Sequence, residues 1–122
     1  MDVLVGVCGT EDSFEALESV LTRARDTGDE VTVAVVDDPT TDSSVSKIRD
    51  RVRSIVAESG MSIEIRDIDD PPEAKLVEIA EAGGYDQLVI GSGSRSPMGK
   101  IRLDDTAQFV LFNAKVTVTL VR

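Results

Sequence analysis

The sequence predicts a three-layer α/β domain, a parallel sheet with helices on both faces. Three observations predict it. Short apolar runs recur along the chain, segments with helical apolar spacing separate them, and glycine, proline or aspartate punctuates the junctions. Regular alternation of this kind implies right-handed crossovers, which place helices on either side of a parallel sheet. At 122 residues, with no internal repeat and no linker, the chain reads as a single domain spanning 1–122.

Each element has its own signal. Val3 to Val7 is an apolar run of the buried-strand type, closed by the turn Cys8-Gly9-Thr10. Phe14, Leu17, Leu21 and Ala24 then recur at helical spacing, with Asp12 and Glu15 fitting an N-cap and its N3 partner, and Thr27-Gly28-Asp29 as the stop. Val31 to Val36 is a second strand. After the polar segment Thr40 to Ser44, Val45, Ile48, Val52, Ile55 and Val56 form the stripe of a second helix that ends at Gly60. Ser62 to Ile68 alternates apolar and polar, the pattern of a strand with one wetter face near a sheet edge. Asp70-Pro71-Pro72-Glu73 is a helix start, and Leu76, Ile79 and Ala80 supply its buried stripe before Gly83-Gly84. Gln87 to Ile90 is a short buried strand, followed by a Gly/Ser-rich loop from Gly91 to about Leu103. The last helix is expected over 105–113, with Phe109, Val110 and Asn113 on one side. Val116, Val118 and Leu120 alternate with threonines in a final strand.

Composition narrows the function classes. The formal net charge is −10, aromatics are 3%, and Lys47, Lys75, Lys100 and Lys115 are the only lysines. An acidic, lysine-poor surface stays hydrated when salt screens ordinary repulsion, so the chain reads as adapted to a salty cytoplasm. The same charge argues against nucleic-acid binding, which requires a basic surface. No apolar run approaches the roughly 20 residues of a membrane span. The opening Met1-Asp2-Val3 has no basic leader pattern. With one cysteine no internal disulfide can form, and a cytoplasmic location is expected.

The most informative stretch is Gly91-Ser92-Gly93-Ser94-Arg95-Ser96-Pro97-Met98-Gly99-Lys100, continuing through Asp104-Asp105 to Gln108. Glycine and serine after a buried strand let backbone N–H groups approach a phosphate, and the next helix offers its N-terminus to the same anion. In this context the chain resembles the universal stress protein family along essentially its whole length. The resemblance is carried by Val5-Gly6-Val7-Cys8-Gly9-Thr10, Ala34-Val35-Val36-Asp37, the glycine loop, Ser96-Pro97-Met98-Gly99-Lys100 and the Val-Thr-Val ending. It implies the adenine nucleotide alpha hydrolase-like fold, with strand order 3-2-1-4-5 and a nucleotide cleft between strands one and four. It also implies a homodimer through the last strand, where Val116, Val118 and Leu120 would lie in the interface.

Nucleotide-binding members of that family hold ATP in the cleft. Carried over, the adenine side would involve the positions of Cys8, Gly9 and Val35, and the phosphate side Gly91, Ser92, Ser94, Asp104 and Asp105. This sequence departs from the pattern. Cys8 stands for the usual aspartate, Ser94 for the second loop glycine, and Asp104-Asp105 for the closing Gly-Ser pair; Gly91 is retained. Carboxylates at the pole of the last helix accept its free N–H groups and are favoured by its dipole, and Asp105 with Gln108 fits a capping box. The protein is thus expected to fill its own anion site and to bind ATP weakly. The alternative is a nucleotide-responsive switch that takes ATP or AMP with Mg²⁺, with slow hydrolysis or autophosphorylation.

Other candidates are weaker. Cys8 reads as a small buried filler, with a redox-sensitive thiol as the rival. Asp37, Asp38, Asp67 and Asp70 read as solvated or capping. Receiver-type phosphotransfer would need a carboxylate at the first strand's end and a lysine at the fifth's, and Cys8 and Val116–Val121 supply neither. Arg95, Lys100 and Arg102 are expected to pair with Asp104 and Asp105, or else to neutralise a bound anion. The chain has no histidine, so a Ser-His-Asp triad is impossible and the commonest metal ligand is missing. No metal and no resident cofactor are expected, and the protein is read as a binding or assembly protein, not an enzyme. Nothing in the residues names a protein partner.

Overall fold

The computed structural model of the protein describes residues 1–8, 11–36, 45–68, 72–91 and 105–121. Its elements alternate as expected: β1 (Asp2–Val7), α1 (Glu11–Thr27), β2 (Glu30–Val35), α2 (Val45–Ser59), β3 (Glu64–Asp67), α3 (Pro72–Ala82), β4 (Gln87–Gly91), α4 (Asp105–Asn113) and β5 (Thr117–Val121). The strands form one five-stranded sheet in the order β3-β2-β1-β4-β5, and every pair is parallel. The universal stress protein arrangement implied by the sequence is the one observed.

Successive residues of β1 face opposite sides of the sheet, and both sides are covered. Val3, Val5 and Val7 enter a core with Phe14, Leu17 and Leu21 of α1 and Ile48 and Val52 of α2. Leu4 faces a second core with Leu76 and Ala80 of α3, Leu88 and Ile90 of β4, and Val110 of α4. Burial on both faces explains why the central strands read as continuous apolar runs and not as alternating ones. β3 lies at one end of the sheet, and it is shorter and wetter than its neighbours, as its alternating sequence suggested. Helices α1, α2 and α3 are each followed by a glycine with positive φ, at Gly28, Gly60 and Gly84. That conformation ends a helix without the Cβ clash another residue would meet.

Three local expectations need correction. Helix α1 begins at Glu11, so Asp12 lies in the first turn and does not cap it; both acids still favour the helix pole. The third strand spans Glu64–Asp67, not the full alternating run from Ser62 to Ile68. Phe109 does not share the buried side of α4 with Val110: it is 37% exposed, whereas Val110 is fully buried. The four consecutive apolar residues Phe109 to Phe112 span all sides of a helix, so their spacing carries no phase.

Candidate functional site

Strand order reverses at β1, whose neighbours are β2 on one side and β4 on the other. Successive crossovers leave β1 and β4 in opposite directions there, and a crevice opens beyond their C-terminal ends. Among the described residues, Cys8 follows β1 there, and Gly91 ends β4 against the first turn of α1.

Gly91 is fixed by that first turn. A Cβ at Gly91 would lie 2.6 Å from the Ser13 backbone nitrogen, 2.8 Å from the Asp12 carbonyl carbon and 2.9 Å from the Ser13 Cα. All three are backbone atoms of a helix, which cannot swing aside. The end of β4 therefore presses directly on α1, and Ser13 beside it is fully buried. Gly91 has a packing reason to be glycine that stands whether or not a phosphate approaches it.

The other predicted positions fall into distinct groups. Cys8 is 7% exposed and belongs to the α3/α4 core, the placement of a packing residue. Val35 is 1% exposed and faces the α1/α2 core, so only its backbone could meet a ligand. It pairs with Val7, its carbonyl accepts the Ile68 N–H at 3.2 Å, and the Val36 N–H reaches the Val7 carbonyl at 2.8 Å. Asp105 is the first residue of α4, which places a carboxylate residue at that helix pole. Val116, Val118 and Leu120 are half-buried and pack against the α3/α4 core at the outer end of the sheet. Gly9, Ser92, Ser94, Asp104, Arg95, Lys100, Arg102, Asp37, Asp38 and Asp70 lie outside the described residues.

Two ion pairs flank the crevice side of the sheet, and neither was visible in the sequence. Arg51 of α2 donates to both carboxylate oxygens of Glu11, at 3.0 and 3.3 Å, and stacks 3.9 Å above the Phe14 ring. The Arg51 hydrogen bond holds the Glu11 carboxyl below its ordinary range, with its positive charge adding to the effect. Arg49, also on α2, grips Asp67 at the end of β3, with Nη2 2.7 Å and Nε 3.0 Å from the two oxygens. Asp67 is therefore partnered, not simply solvated. Both pairs join residues far apart in sequence, so local spacing carries no sign of them.

A separate groove of about 120 Å³ lies between α1 and the β4/β5 end of the sheet, with Val3, Val20, Gln87, Val89 and Val121 among its lining residues. The Gln87 amide bonds the Thr119 hydroxyl across its floor. It is smaller than the roughly 300 Å³ at which ligand pockets begin. Among the described residues no three His, Cys, Asp or Glu side chains converge as a metal site, and no helix is long and apolar enough to cross a membrane.

Known structures resemble this one throughout. A universal stress protein from Archaeoglobus fulgidus superposes with a TM-score of 0.79 at 23% identity, covering 100% of this chain and 98% of the other. The universal stress protein from Archaeoglobus fulgidus in complex with dAMP gives 0.74 at 21%, covering 100% and 98%. A universal stress protein family protein from Arabidopsis thaliana with AMP bound gives 0.69 at 17%, covering 99% and 90%. A search of curated proteins gave no significant match. The sequence model of the universal stress protein family matches residues 1–122, and the chain belongs to that family.

Proposed function

We propose that the protein is a homodimeric stress-response binding protein, not an enzyme, whose crevice between β1 and β4 holds ATP only weakly. The observation that carries this reading is that α4 begins at Asp105, directly after Asp104. A triphosphate seated in the crevice would reach for the free N–H groups of that helix pole. Carboxylates there compete for the same donors and meet the phosphate with like charge. Two unit charges about 4 Å apart repel by roughly 4 kcal/mol at an effective dielectric near 20. Salt and Mg²⁺ reduce that figure, and even about 2.7 kcal/mol remaining is roughly a hundredfold in affinity. The dimer forms through β5, an end strand with neither charge nor proline from Thr117 to Val121 and so with few defences against edge pairing. The acidic surface suits a salty cytoplasm.

A second reading is favoured by the company the fold keeps. Solved relatives hold cAMP, dAMP and AMP. A nucleoside monophosphate carries less charge and does not extend as far toward the α4 pole, so the two aspartates repel it less than ATP. Calorimetric titration with Mg-ATP and with AMP, at moderate and at high salt, tests both readings. Weak or undetectable ATP binding supports the first, and AMP binding well above that of ATP adds the second. Micromolar ATP affinity would overturn the first.

A further inference from the structure

The groove between α1 and the β4/β5 end of the sheet combines an apolar wall with unspent hydrogen-bond donors. Of the two helices on that side of the sheet, α1 lies against β4 and β5, and α2 against β2. Val3, Val20, Val89 and Val121 supply the wall, and none of the crevice positions Cys8, Val35, Gly91 and Asp105 belongs to it. Its volume of about 120 Å³ is room for about four water-sized groups at roughly 30 Å³ each. That is too small for a nucleotide and enough for a short hydrocarbon tail.

The polar groups beside the wall are mostly donors. The Arg23 guanidinium makes no hydrogen bond or ion pair among the described residues, and the Ser19 hydroxyl, one turn earlier on the same helix face, makes none either. The Thr119 hydroxyl accepts from the Gln87 amide, which leaves its own O–H free to donate. The carboxylate in the lining, Asp29, already faces the Met1 amino group at 3.5 Å. Arg23 acts on Asp29 by charge but forms no ion pair with it.

We propose that this groove binds a short aliphatic monocarboxylate of about four to six carbons. The tail lies against the valines and leaves water, while the carboxylate, which only accepts hydrogen bonds, meets the Arg23 guanidinium and the neighbouring hydroxyls. A guanidinium holds a carboxylate through two parallel N–H bonds, the strongest pairing the groove can offer. Charge at the mouth restricts the head group. Glu15, Glu18 and Asp26 line, together with Arg23, the wider depression that adjoins the groove. A phosphate or a dicarboxylate would gain the same guanidinium and meet more repulsion from those acids. An amino acid would bring an ammonium group whose natural partner, Asp29, is taken by Met1.

Titrations of the full chain followed by amide NMR test this, with valerate, its neutral analogue valeramide, and succinate. They are run on wild type, Arg23→Gln and, as a control on another helix, Arg53→Gln. Arg23 is exposed, so its replacement by another good helix former leaves the fold intact, which unchanged amide signals away from α1 verify. The expected result is saturable valerate shifts at Ser19, Arg23, Thr119 and Val121 in wild type and in Arg53→Gln. Binding should be weaker by roughly tenfold or more for valerate with Arg23→Gln, and for valeramide or succinate with wild type. No saturable valerate shift at the groove would overturn the site. Equal valerate affinity in Arg23→Gln, or valeramide or succinate binding as tightly as valerate, would overturn the assigned head group.

Discussion

Gly91 shows how one residue can carry two readings. In sequence it is the first glycine of a phosphate-type loop. In the structure its missing Cβ is what lets β4 end against the backbone of Asp12 and Ser13. The sequence signals the need for glycine but not which neighbour imposes it, because the contact is with a helix some 80 residues earlier. Gly91→Ala should therefore destabilise the fold even without any ligand, by roughly 1–3 kcal/mol, the usual range for forcing atoms into a packed site. A urea midpoint lowered with an unchanged slope would bear this out, and an unaltered midpoint would mean that α1 yields. Cys8 is simpler: its burial in the α3/α4 core leaves little thiol surface for chemistry.

Among elements, strands and helices were legible wherever hydrophobic period and stop signals agreed. The strands β1, β2 and β4 are apolar runs because both sheet faces are covered, and α4 spans Asp105–Asn113, the range its sequence suggested. What the sequence could not phase was the run Phe109-Val110-Leu111-Phe112, where packing alone selects Val110 for the core. Nor could it show that α2 is tied to α1 by Arg51 and Glu11, 40 residues apart. That tie predicts a pH effect. Glu11 has its folded pKa lowered from 4.5, so its stabilising share is fully present above that value and is lost as pH falls through the lowered one. Arg51→Gln removes the share, so the stability gap between wild type and variant should be present at pH 7 and shrink in acid below about pH 4.5. Denaturation series at both pH values read this directly; a gap that grows in acid would contradict it. The pair is exposed, so the effect is also expected to weaken with salt.

For the whole molecule, the family fold was readable because alternation, glycine loop and strand endings all point the same way. The candidate site was only partly readable. Its position follows from topology, but the described residues at it are backbone and packing groups, and the loop after Gly91 lies outside the described residues. A net charge of −10 on a chain of 122 residues also makes self-repulsion a property of the whole. Raising KCl from about 0.1 M to 1 M shortens the screening length from about 10 Å to 3 Å. The Tm should rise over that range if the surface is built for salt, and a flat or falling Tm would remove that proposal.

Weak ATP binding is proposed to come from Asp104 and Asp105 competing with phosphate at the start of α4. The most direct measurement is Mg-ATP affinity by calorimetry on wild type beside the double variant Asp104→Gly, Asp105→Ser. Weak binding by the wild type and a gain of roughly a hundredfold or more in the variant are expected. Equal affinities, or tight binding by the wild type, would contradict it.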